Sequence, residues 1–243
     1  MLRLLLFTLV LIVPSACVAA GCVDPAAVTH STVSVMRRFD DAEMAARRGV
    51  VGIRATAWFL SPTSIATVEH VTAAMDLSDQ DWKHIEIRSG ASKQSIPARI
   101  RHVAGSSAHR IVVAELQTAF SGAQGLRLRL EPVATDERVV SVAYPGGDLR
   151  IAGGRFVQYG DGDQLAGAAL LEMYDGDDRL VLDHGASGAP VLDCSGRVVA
   201  VVNYLFTTSM QFMSRTIRIS TAWGQPNVVS VPAPVLKDFA RAD

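Results

Sequence analysis

His184-Gly185-Ala186-Ser187-Gly188-Ala189-Pro190-Val191, followed by Leu192-Asp193-Cys194-Ser195-Gly196-Arg197 and the apolar run 198–202, sets one serine among small residues just before a buried strand. Such a stretch can present a hydroxyl at the end of a tight turn, because glycine adopts backbone conformations closed to other residues. The N–H groups of Gly185 and Ser187 can then converge on one point, as an oxyanion hole requires. An α/β-hydrolase elbow needs a glycine two residues after the serine and a helix leaving it. Ala189 stands at that place, and Pro190 followed by Val191-Leu192 opposes a helix. A plain glycine-rich turn between two strands fits the local sequence equally well, so the rest of the chain has to decide.

Outward from this stretch the pattern is strand-like in both directions. Residues 50–60 (VVGIRATAWFL) and 65–68 flank a Ser61-Pro62-Thr63 turn. Further β runs lie at 84–88, 96–103, 111–116, 126–130, 138–143, 154–159, 168–174, 188–192, 197–204 and 215–220. Helical signals are short, at 40–47, 71–75 and 234–241. Many short strands punctuated by Gly, Pro and Asp imply an all-β protein of barrels or sandwiches rather than βαβ units. A divide near 130–137 leaves two halves, each long enough for a six-stranded barrel.

The composition sets outer limits. A chain of 243 residues with 49% apolar content can bury a full core. A formal net charge of −1 gives no general attraction to nucleic acid or to anionic membranes. The arginines within 99–102 and 126–130 alternate with apolar residues, which reads as strands with one solvated face. Asp161-Gly162-Asp163 and Asp175-Gly176-Asp177-Asp178 are turn chemistry rather than a calcium loop, and no close Cys/His spacing points to a metal.

The first twenty residues differ from the rest. Arg3 precedes an apolar run over 4–13, then Pro14-Ser15 and the small residues up to Ala20. This is the pattern of a cleaved secretory signal, too short for a membrane span. Removal of residues 1–20 takes Cys17 away and leaves Cys22 and Cys194, an even pair that can bridge in an oxidising compartment. The competing reading makes Ala19-Ala20-Gly21-Cys22 a lipoprotein box with lipid on Cys22. Export to the periplasm or outside the cell is expected either way, with no transmembrane segment after the signal.

The second chemical signal precedes the serine stretch. Ala57-Trp58-Phe59-Leu60-Ser61-Pro62 leads through Ile65-Ala66-Thr67-Val68 to Glu69-His70-Val71. Here the chain resembles the trypsin-like serine peptidases of the bacterial HtrA type. In those proteins a strand, a turn and a returning strand end in a motif that carries the catalytic base on one helical turn. Gly185–Val191 resembles the family's serine motif, and Tyr144-Pro145-Gly146-Gly147 resembles its second-barrel strand end. The resemblance spans roughly residues 48–240 and implies a protease domain without a PDZ domain. It implies two antiparallel six-stranded β-barrels: residues 48–130 carrying the histidine and 131–232 carrying the serine. An N-terminal segment over 21–47 and a short C-terminal helix over 233–243 complete the expected layout. His70 and Ser187 would be the reactive pair, with Gly185 and Ser187 forming the oxyanion hole and no cofactor needed. A peptide or protein substrate would lie along Val202, Asn203 and Tyr204, with Val181 at the base of the specificity pocket.

One family residue has no counterpart. The acid that opens a strand of the first barrel falls at Arg110, in Arg110-Ile111-Val112-Val113-Ala114-Glu115-Leu116. A shift of one residue brings in only His109, and Glu115 lies on the opposite face of the strand. Asp76, Asp79 and Asp81 are the nearest carboxylates in sequence that could reach His70 instead. Two functions follow as expectations: an exported serine endopeptidase served by another residue, or an impaired relative that binds peptides or a partner protein in the same cleft.

Overall fold

The computed structural model describes residues 22–24, 28–106, 109–162, 165–174, 182, 184–205 and 225–239, together with the backbone of 207–212 and 215–220. The signal expected at 1–20, Cys17 and Val181 lie outside the described residues. The first barrel comprises β1 (Thr32–Arg38), β2 (Gly52–Ser61), β3 (Ser64–Val68), β4 (Lys83–Ser89), β5 (Ser92–Ser106) and β6 (His109–Leu116). Its order is β1-β2-β3-β6-β5-β4, and antiparallel pairing of β1 with β4 closes it. The second comprises β7 (Arg138–Ala143), β8 (Arg150–Tyr159), β9 (Ala169–Tyr174), β10 (Pro190–Leu192), β11 (Val198–Leu205) and β14 (Val228–Pro232). Pairing of β10 with β7 closes that barrel, while β12 (Thr207–Phe212) and β13 (Arg215–Ser220) form a separate hairpin.

Three details differ from the sequence expectation. The first barrel begins at Thr32, not near residue 48, because Thr32–Arg38 pairs along its whole length with Gly52–Trp58 of β2. Residues 126–130 are an extended connector rather than a barrel strand. The Leu126 amide donates to Phe59 of the first barrel, whereas Arg127 and Arg129 exchange backbone bonds with Val198 of the second. The closing helix is a 3₁₀ turn, Ala233–Leu236, between β14 and the chain end.

Two short helices serve the first barrel. In α1 (Asp41–Ala46) the Asp40 carboxylate accepts from the Glu43 amide, and Glu43 accepts in return from the Asp40 amide, a reciprocal cap. The single turn α2 (Glu69–Ala74) leaves β3 directly and buries Val71 and Thr72. Residues 70 and 71 point about 100° apart on a helix, so His70 is turned out of the core and stays exposed.

The β10–β11 hairpin is tied at its tip by Asp193. Its Oδ1 accepts from the amides of Ser195 and Arg197 at 2.9 and 3.0 Å, and its Oδ2 lies 2.9 Å from the Arg197 guanidinium. Burial disfavours that charge, but the backbone donors and the guanidinium outweigh it and hold the carboxyl below its usual range. Beside this tip Cys194 forms a disulfide with Cys22, Cα to Cα 4.5 Å. The bridge ties the start of the folded chain to the second barrel, across 172 residues of sequence. In the chain-entropy treatment a loop of that length stabilises the fold by roughly 5 kcal/mol. Replacing both cysteines by serine is therefore expected to lower the thermal midpoint by about 10–20 °C. Heat unfolding of the double variant against the parent checks this, and equal midpoints would remove the bridge from the stability account.

Candidate active site

The serine loop hangs between the barrels from one residue of β2. The Thr56 amide donates to Ser187 O at 3.1 Å, and its hydroxyl donates to Gly185 O at 2.7 Å. The same hydroxyl accepts from the Tyr144 amide at 2.9 Å, and Thr56 O accepts from the Thr67 hydroxyl at 2.9 Å. Thr67 lies three residues before His70, so one cluster positions the histidine helix and the serine turn together.

Glycine is required at two points of this loop. Gly188 has φ +88°, and a Cβ there would lie 2.1 Å from the Thr67 hydroxyl and 2.2 Å from Thr56 O. Gly185 has φ +98°, and its Cβ would press on Tyr144 O at 3.1 Å. The Tyr144–Gly147 turn backs the loop, with the Gly146 amide donating to His184 O at 3.1 Å. Arg54 of the first barrel donates to Gly146 O at 2.8 Å, a second tie across the seam. Among the described residues no backbone hydrogen bond uses the amides of Gly185 or Ser187. The neighbouring amide of Gly188, by contrast, donates to Val202 O at 2.8 Å.

His70 and Ser187 both meet Asn203 of β11. The Ser187 hydroxyl donates to Asn203 O at 3.2 Å, and His70 hydrogen-bonds with the Asn203 side chain. The serine proton is thus given to a carbonyl rather than to the imidazole, a looseness common before substrate tightens such a site. His70 is exposed, yet the protein around its ring removes part of its water, and this desolvation pushes its pKa below the ordinary 6.5 against the opposing pull of the Asn203 bond. Among the described residues no carboxylate acts on this ring.

Of the residues weighed for the acid's role, three are engaged with other partners. Arg110 precedes Ile111, which pairs with Val68 just ahead of the histidine turn. Its guanidinium turns outward to Glu69, Nη1 to Oε1 2.7 Å. Glu115 is bound to Arg99 at 3.0 Å, and Asp76 pairs with Lys83. Val202 is fully buried, with its amide bound to Ala189 O and its carbonyl to the Gly188 amide. It braces the serine turn, leaving Asn203 and the exposed Tyr204 at the cleft. His109 is buried, and its Nδ1 accepts from the Asn203 amide nitrogen, 3.2 Å away.

Residues 55–201 match the family of the trypsin-like peptidase domain. The chain belongs to that family. Among solved structures it is similar to the Rv3671c protease of M. tuberculosis. The active form is 18% identical with TM-score 0.56, covering 88% of this chain and 80% of that one. The inactive form is 17% identical with TM-score 0.55, covering 89% and 90%. At such identity the likeness is one of fold. No curated protein sequence matches the chain. As a trypsin-like serine peptidase domain, the molecule places its matched segment across both barrels and ends it inside β11.

The sequence reading missed Thr56 altogether and took Asn203 only as a substrate contact. A threonine in an apolar strand carries no pattern of its own. Asn203 does carry a signal, since an amide ending the run Val198–Val202 must find partners once buried. Replacing Thr56 by valine keeps the shape but strands the Tyr144 amide and Gly185 O. We expect a loss of about 2–4 kcal/mol from the two orphaned groups. Thr56→Ser should restore most of it. Chemical denaturation of the two variants measures both effects, and equal stabilities would show that the hydroxyl does not hold the seam.

Proposed function

We propose that the protein is an exported serine endopeptidase in which Ser187 is the nucleophile and His70 the general base. The observation that carries this reading is the serine turn itself. It holds two left-handed glycines and two amides with no backbone partner among the described residues, and it is fastened to Thr56 of β2, which also receives the Thr67 hydroxyl from the strand that delivers His70. The Ser187 oxygen would attack a peptide carbonyl while His70 Nε2 takes its proton, and the amides of Gly185 and Ser187 would receive the developing oxyanion. Collapse breaks the C–N bond, His70 gives the proton to the leaving amine, and water then releases the acyl group by the same steps in reverse order. The peptide would run along Asn203 and Tyr204, with Val181 below its first side chain. None of these steps calls for a cofactor.

Export is supported by the Cys22–Cys194 bridge, since such bonds persist in oxidising compartments. A Cys22 sulfur held in a disulfide cannot also carry a thioether lipid, which favours the unanchored form. The second reading, an impaired relative that holds peptides without cutting them, is favoured by Arg110 and its pairing with Glu69. A fluorophosphonate probe separates the two: it should label the mature protein at Ser187 and fail on Ser187→Ala. Peptide hydrolysis by that variant should fall at least about 10⁴-fold. Because desolvation lowers the His70 pKa, the base stays neutral into mildly acidic solution. The acid limb of kcat/KM should therefore have its midpoint below pH 6.5. A probe that leaves Ser187 untouched would support the binding reading instead.

A further inference from the structure

We propose that Asn203 does the work of the missing acid, its side-chain carbonyl holding the Nδ1–H of His70 while His109 keeps the amide turned that way. The inference rests on the serine-peptidase reading above. An amide beside a catalytic histidine has two orientations with opposite consequences. With its N–H₂ toward Nδ1, it makes the ring carry its proton on Nε2, where it cannot take one from serine. That wrong tautomer is why an asparagine in place of the acid costs serine proteases about 10⁴-fold. With its oxygen toward Nδ1 it accepts the ring N–H and leaves Nε2 basic. The same arrangement orients the base in Cys-His-Asn proteases.

His109 decides between these orientations here. Its Nδ1 lies 3.2 Å from the Asn203 side-chain nitrogen, and both residues are buried, at 4% and 6% exposure. A neutral imidazole with its proton on Nε2 presents Nδ1 as an acceptor only. With that tautomer the Asn203 N–H₂ faces His109 across the 3.2 Å contact, and Oδ1 is left for the other side. His70 hydrogen-bonds with the Asn203 side chain in the sense that favours the charged ring, as an accepting oxygen does. The Asn203 backbone is placed as well, since its carbonyl receives the Ser187 hydroxyl at 3.2 Å. One residue thus touches the nucleophile through its main chain and the base through its side chain. His109 in turn stacks on Tyr204, ring centroids 6.2 Å apart, which holds its ring plane.

Among the described residues, the charged and titratable groups on the elements packed there are Glu69 on the helix of His70, Arg110 and His109 on β6, and Tyr204 stacked on His109 from β11. Glu69 and Arg110 are paired with each other. His109 is the group whose protonation would disturb the arrangement, because a charged imidazole has no acceptor to offer.

Asn203 is a positioning residue, so the test reads the tautomer of His70 as well as the rate. Nitrogen-15 shifts of the His70 ring in the parent protein should report a proton on Nδ1. Asn203→Leu should leave a mixed tautomer and lower kcat about 10²-fold or more, with KM little changed. Asn203→Asp should keep Nδ1 protonated, move the acid limb of the rate profile to higher pH, and hold or raise kcat. His109→Phe should turn the His70 proton toward Nε2 and slow hydrolysis, and Asn203→Asp in that background should rescue it, since a carboxylate accepts from either oxygen. An unchanged His70 tautomer and rate in Asn203→Leu would overturn the inference, as would a failed rescue in a folded double variant. If the tautomer responds as expected but a fluorophosphonate never labels Ser187, the peptidase reading fails while the Asn203–His70 bond stands.

Discussion

Thr56 commits every polar atom it has to the seam between the barrels. Its amide and hydroxyl hold the carbonyls of Ser187 and Gly185, its hydroxyl also receives the Tyr144 amide, and its own carbonyl receives the Thr67 hydroxyl. Thr56, Thr67 and Tyr144 are buried and the serine turn half-buried, so breaking a bond at the buried end leaves a partner without water to replace it. The serine turn is therefore held to the barrel that carries the histidine as tightly as to its own. A cleft made from two separate barrels needs such a fastening, because otherwise its two halves could drift by more than proton transfer tolerates.

Much of this architecture was legible in the chain. The strand runs, the two-barrel layout, the serine turn and the histidine turn all carry local signatures: alternation, Gly and Pro punctuation, and small residues around the reactive serine. The boundary errors have physical causes. β1 was hidden because residues 33 to 35 are buried on both faces, and a strand without alternation is hard to tell from a short connecting segment. Residues 126–130 read as a strand because their arginines alternate with leucines. Their backbone bonds nevertheless go to two different barrels, a pairing that no local pattern encodes.

The acid was sought along one strand, at Arg110, because the family places it there. In this chain β11, on the other barrel, brings Asn203 to both His70 and Ser187. The departure at Arg110 is coupled to another, since the glutamate beside His70 is the residue that takes its charge. Read separately, Glu69 and Arg110 look like two defects in a motif. Read with their contact, they are one half-exposed ion pair. Among the described residues, desolvation of the His70 ring is not offset by a negative neighbour.

The bridge between Cys22 and Cys194 carries a consequence for synthesis. At about 5–20 residues per second, the second cysteine leaves the ribosome on the order of 10–30 s after the first. Throughout that interval Cys22 has no native partner, and in its later part the first barrel already has all six of its strands. The early barrel can close with its leading end untethered, and only the late hairpin that presents Cys194 brings that end home. Oxidation of this protein is thus a closing step, and a cell that oxidised Cys22 too soon would have to undo the mistake before the second barrel could be sealed.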